Sequence, residues 1–151
     1  MKGGYPMNIN IRRAMISDAE PIHALCMSIL HYDFTLDQVK ANVRRLIGQP
    51  TDLLLVAERG DEVVGFIHAT NHDPVYAPPM KSIVALAVKD EHRHQGLGRR
   101  MVSAVEDWAR ETGASGVRAN ADVMMGSALD FYKSQGFEYI RTQYNFRKMI
   151  K

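Results

Sequence analysis

The sequence predicts a mixed α/β fold, an α+β sheet of mixed strand direction with helices on both faces. Three observations carry this reading. Short apolar runs rich in β-branched residues alternate with amphipathic segments of helical period. In the middle of the chain two such runs flank the tight turn Arg59-Gly60-Asp61-Glu62, a hairpin signal. Beyond residue 88 strands and helices alternate, as parallel pairing requires.

The elements follow in order. Asn8–Ala14 alternates weakly and reads as a first strand. Ser17 and Asp18 offer N-cap chemistry, with Glu20 completing a capping box, for a helix to about Leu30 burying Ile22, Leu25, Cys26 and Ile29. After the connection His31-Tyr32-Asp33-Phe34, Thr35 caps a second helix through Val39, Val43, Leu46 and Ile47, which Gly48 and Pro50 end. Leu53–Glu58 and Val63–Ala69 are the hairpin strands, and His72–Met80, with three prolines and Tyr76, is a loop. Ile83–Val88 is a strand. The next helix presents Met101, Val102, Val105, Trp108 and Ala109 on one face and stops at Gly113. Val117–Val123 is a strand and Ser127–Gln135 a helix closed by Gly136, with Phe137 placed for a Schellman end. Tyr139–Thr142 and Asn145–Met149 are expected as a final strand pair, giving β-α-α-β-β-β-α-β-α-β-β.

At 151 residues the chain reads as a short extension, 1–7, and a single domain, 8–151. The formal net charge of +2 is too small to argue for nucleic acid, and no apolar run approaches a membrane span. The single cysteine, Cys26, permits no internal disulfide. It reads as a small core residue in a reducing, cytoplasmic setting.

Residues 81–100, KSIVALAVKDEHRHQGLGRR, carry the functional signal. A strand runs into a basic glycine loop, and a helix begins at once. Gly96 and Gly98 let the backbone approach a ligand closely. The first N–H groups of the helix have no internal partner and point outward, which makes an anion cradle. Arg93 and Arg99 add charge. The loop lacks the Gly-Lys-Ser/Thr of nucleotide-hydrolase phosphate loops. Met101 replaces the third glycine of the dinucleotide fingerprint.

Two segments together, Val88-x4-Arg93-His94-Gln95-Gly96-Leu97-Gly98 and Ala128-x-x-Phe131-Tyr132-Lys133-x-x-Gly136-Phe137, resemble the GNAT superfamily of acyl-CoA-dependent N-acyltransferases. The resemblance implies that acetyl-CoA lies in a V-shaped opening between the strand ending at Val88 and the strand at Val117–Val123. Its pyrophosphate would rest on Gln95, Gly96, Leu97, Gly98 and Arg99, flanked by Arg93, His94 and Ala128. Leu86 and Val88 would pair with the pantetheine arm. An N–H near Ala87 or Val88 would hold the thioester oxygen, and Tyr132 would serve the leaving sulfur. No metal is implied. The implied activity is acetyl transfer to a primary amine of a small molecule or peptide. The alternative is a non-catalytic acyl-CoA sensor or partner-binding module of the same fold. A homodimer is a further implication.

The sequence departs from the family pattern where many relatives carry a carboxylate. Val84-Ala85-Leu86-Ala87 holds none, leaving the general base open among His68, His72, Asp73, Asp122, a water relay or an amine that arrives neutral. Met125 stands where relatives often carry an asparagine. On the acceptor side the fold implies Tyr32, Asp33, Phe34, His72, Asp73 and Tyr76, aromatics and carboxylates that suit a cationic amine.

Overall fold

The computed structural model describes residues 8–151; the expected extension 1–7 lies outside them. The described residues form two compact units, 8–119 and 120–151.

The first unit holds a five-stranded sheet in the order β1-β2-β3-β4-β5. Its strands are β1 (Ile9–Arg13), β2 (Asp52–Arg59), β3 (Glu62–His72), β4 (Met80–Val88) and β5 (Val117–Ala119). The first four pair antiparallel; β4 and β5 pair parallel, joined through α3 (Leu97–Glu111). His72 therefore belongs to β3, opposite Met80, and not to the expected loop. The ladder extends the hairpin because each added residue satisfies two more backbone groups.

Helices α1 (Ala19–Ser28) and α2 (Leu36–Leu46) pack on one face of the sheet. Ile22, Leu25, Val39 and Val43 meet Leu54, Val56, Phe66 and Ala87 there. On the opposite face α3 buries Leu97, Met101, Val102, Val105, Trp108 and Ala109. Each buried Leu, Met or Val side chain there contributes roughly 1.5–3 kcal/mol over its exposed state. Buried Lys81 sets its Nζ 3.9 Å from the Trp108 ring centroid and donates to Asn71 Oδ1.

Thr35 caps α2 as expected, its hydroxyl accepting from the Gln38 N–H while Gln38 Oε1 accepts from the Thr35 N–H. The Ser17–Glu20 capping box does not form. A 3-10 turn at Ile16–Asp18 precedes α1, and the Asp18 carboxylate serves other donors. It accepts two hydrogen bonds from Arg12, at 2.8 and 3.0 Å, and one from the Met15 N–H at 2.7 Å. Burial pushes the Asp18 carboxyl up, but these bonds outweigh it and hold the group below the ordinary carboxylate range. The stability this contributes is therefore present above about pH 4, where the unfolded group is ionised, and is lost as pH falls through the depressed folded value. Asp18→Asn is expected to cost about 2 kcal/mol at neutral pH and to flatten the acid limb of urea midpoints measured from pH 7 to 3. An unchanged acid limb would refute the assignment.

The second unit contains α4 (Gly126–Ser134). Gly136 has φ +89°; its N–H donates to the Lys133 carbonyl and the Phe137 N–H to that of Tyr132, the expected Schellman closure. Two strand expectations are corrected. The strand at 117–123 stops at Ala119, and residues 137–151 form no strands. Beyond Phe137 no described backbone group makes a main-chain hydrogen bond, and Tyr144, Phe146, Met149 and Ile150 are exposed. β-propensity makes a strand only where a neighbour offers a ladder, and none does.

Candidate active site

The β3–β4 register creates the central feature. His68 pairs with Ala85 and Ala69 with Ile83, so Val84 is an extra residue, a β-bulge. Beside it, β5 pairs only with Lys81, Ser82 and Ile83. From Val84 to Val88 the outer edge of β4 has no partner strand among the described residues. The Lys89 N–H bonds the Val64 carbonyl, and the Ala87 carbonyl faces Gly65 on β3. Strand alternation therefore turns the main-chain groups of Leu86 and Val88 to the open edge. Of the two expected oxygen donors, Val88 faces that edge and Ala87 does not.

This edge leads into the glycine loop. A 3-10 turn at Asp90–His92 precedes it, and Arg93 pairs with Asp90 at 3.3 Å. His94 and Gly96 have φ of +62° and +78°. The N–H groups of Gln95, Gly96, Leu97, Gly98 and Arg99 donate to no acceptor among the described residues; the first bond of the turn runs from Arg100 N–H to Gly96 O. Five successive open donors at a helix start are an arrangement that suits an anion. The Leu97 side chain is buried, so only its main chain serves the cradle, while Arg93, His94, Gln95 and Arg99 are exposed.

A model of the acetyltransferase (GNAT) family matches residues 17–137. The chain belongs to this family. GNAT-family relatives include human N-acetyltransferase 8, 34% identical over 84 residues, covering 55% of this chain and 37% of that protein. Mouse probable N-acetyltransferase family 8 member 5 is 34% identical over 87 residues, covering 55% and 37%. The chain thus spans just over a third of the length of these relatives. Among solved structures, aminoglycoside N-acetyltransferase AAC(6')-Iy in complex with CoA superposes with a TM-score of 0.86 at 18% identity, covering 99% of both chains. An aminoglycoside acetyltransferase from an uncultured soil metagenomic sample, in complex with sisomicin, gives 0.77 at 21% identity, covering 96% and 98%. The fold of this GNAT chain is therefore that of these enzymes.

Ala128 and Tyr132 lie on α4 in the second unit. The Tyr132 ring meets Phe131 and Phe137 edge-on, each at 5.2 Å, and burial pushes its hydroxyl pKa up to about 12. Of the base candidates, Asp122 closes a turn, its carboxylate accepting from the Met124 N–H. Asp73 is exposed on the β3–β4 loop, and His72 is half-buried at the strand end. His68 is not the solvent-facing strand residue that alternation allows. Its Nε2 lies 2.8 Å from Asp52 Oδ1, and its side chain is only 19% exposed. Burial pushes the Asp52 carboxyl up, but hydrogen bonds from His68, Thr51 and Thr70 hold it below the ordinary range. No sequence signal marked Asp52, because the contact exists only through the diagonal register of β2 and β3.

The expected acceptor residues separate into two places. Tyr32, Asp33 and Phe34 are exposed between α1 and α2, where His23 Nε2 holds the Phe34 carbonyl at 2.7 Å. Tyr76 is exposed on the β3–β4 loop. Neither a hydrogen bond nor a ring contact joins the two groups among the described residues. The same residues include no cluster of potential metal ligands and no helix long and apolar enough to cross a membrane.

Proposed function

We propose that this chain transfers the acetyl group of acetyl-CoA to a primary amine by direct attack. The observation that carries the reading is the run of five open N–H groups from Gln95 to Arg99, placed below the unpaired edge of β4. The first feature suits the linked phosphates of coenzyme A. The second suits its pantetheine amides, which add to an open strand as a peptide would. Family membership and the named amine acetyltransferases among its relatives and structural neighbours support the same activity. The Val88 N–H polarises the thioester oxygen as charge develops there.

Tyr132 serves the departing sulfur in this reading. A phenol near pKa 12 does not give its proton readily to a thiolate whose acid has pKa about 8.5. It stabilises the thiolate by a hydrogen bond instead and keeps its own proton. Tyr132→Phe is expected to lower turnover about tenfold to a hundredfold while coenzyme affinity is kept. Equal turnover of the variant and wild type would remove Tyr132 from the mechanism.

The acceptor is a cationic amine, which the carboxylates and aromatics of 32–34 and 73–76 suit. Free thiol release from acetyl-CoA, measured over sisomicin, spermidine, lysine and short peptides, tests the activity. Binding of acetyl-CoA with no amine-dependent release would instead support the acyl-CoA sensor. The exposed apolar tail with unpaired backbone supports a homodimer, and the lone Cys26 supports a cytoplasmic setting.

A further inference from the structure

We infer that His68 is the general base that deprotonates the acceptor amine, and that Asp52 is the residue that positions it. The inference rests on the reading that acetyl-CoA lies along the open edge of β4.

Three observations lead to it. His68 stands directly opposite Ala85, the first residue beyond the bulge and level with the start of the open edge. On this face of the sheet β4 presents Ala85 and Ala87, whose methyl groups are too short to wall the ring from that edge. Two strand spacings, about 10 Å, separate the His68 backbone from a chain laid along that edge, and Val88 lies three residues further along β4. Bridging water closes the span that the imidazole leaves. Second, a carboxylate only accepts hydrogen bonds, so the contact with Asp52 requires Nε2 to carry the proton. In the neutral ring Nδ1 is then the basic nitrogen, and no described residue donates to it. Third, Asp52 is itself fixed, its second oxygen accepting from the Thr51 hydroxyl at 2.8 Å. A carboxylate behind an imidazole sets the tautomer and steadies the imidazolium that forms.

The charged and titratable groups around the ring are few. β2 supplies Asp52, and β4 supplies none beside Ala85. At the far end of this face Arg118 of β5 donates to Ser82 Oγ. Opposite His68 and Phe66 the β4 side chains are Ala85 and Ala87, which leave room for a side chain from the next strand.

In the step itself, His68 Nδ1 takes one proton from the ammonium group through bridging water. The freed nitrogen pair forms the C–N bond to the acetyl carbon. The C–S bond breaks with its electrons on the coenzyme sulfur, and the second nitrogen proton leaves to that thiolate or to solvent. The imidazolium then releases its proton to water.

The test compares wild type, His68→Gln, His68→Ala and Asp52→Asn on the panel amine turned over fastest, with acetyl-CoA affinity measured by calorimetry for each. In wild type the turnover number is expected to rise with pH along an acid limb. His68→Gln and His68→Ala should lose that limb and fall about tenfold to a hundredfold at pH 7, with coenzyme affinity unchanged. Their deficit should shrink at high pH and for weakly basic amines, which arrive unprotonated. Asp52→Asn should keep the limb but lower turnover. Variants that retain wild-type turnover and its acid limb, or a deficit equal at every pH and for every amine, would overturn the assignment. If no amine raises thiol release by the wild type itself, the acetyl-transfer reading fails instead, and the two failures are told apart by that first measurement.

Discussion

Gly96→Val is expected to weaken coenzyme A binding by at least about a hundredfold while leaving a folded protein. Gly96 has φ +78°, and an added Cβ would meet no protein atom within 4 Å. The space it would enter is therefore the cradle and not the core. A non-glycine residue in this left-handed conformation costs about 1–2 kcal/mol, and β-branching makes it worse. The loop relieves that strain by turning the N–H groups of Gln95 to Leu97 away from their common focus. Losing two charge-assisted hydrogen bonds at about 1.5 kcal/mol each already amounts to a hundredfold in affinity. Calorimetric titration with coenzyme A gives the answer, and the thermal midpoint shows whether the fold survives. An unchanged dissociation constant would remove the loop from the binding site.

Gly65→Ala is expected to destabilise the protein by about 2–3 kcal/mol, the cost of inserting a methyl group into a packed interior. An added Cβ would lie 2.9 Å from the Ala87 carbonyl oxygen and 3.3 Å from Met101 Cε. The methionine end can move. The carbonyl is part of the β3–β4 ladder, so β4 itself must shift. That shift falls at Ala87–Val88, where the open edge begins its approach to the loop. The variant should therefore also bind coenzyme A more weakly, although Gly65 never touches it. Urea midpoints and calorimetry on the same sample measure both effects. A variant with an unaltered midpoint would show that the strand pair yields freely.

The parts of this protein legible in its sequence are those that local chemistry decides. Thr35 and Gln38 specify a helix start by reciprocal hydrogen bonds within four residues. The stripe from Met101 to Ala109 specifies a buried helix face, and Gly136 with Phe137 specifies a helix end. The glycine loop is of the same kind: its open donors follow from where one helix begins. The expectations that failed needed a neighbour. Asp18 does not cap α1, because its carboxylate accepts from Arg12 on another element and from the Met15 N–H at the 3-10 turn. The tail 139–149 has strand-forming residues but no ladder to join, and its strands are absent.

By itself the sequence determined the fold class, the family and the open-donor glycine loop proposed for the phosphates, because each is set by contacts a few residues apart. Only the tertiary structure decided which edge of β4 is open, which of its amides face it, and that Asp52 stands behind His68. Those facts depend on strand register, where one residue of slip or one bulge moves every side chain to the opposite face. No local pattern records such a choice. It is made when distant segments pack against one another and the best-satisfied pairing wins.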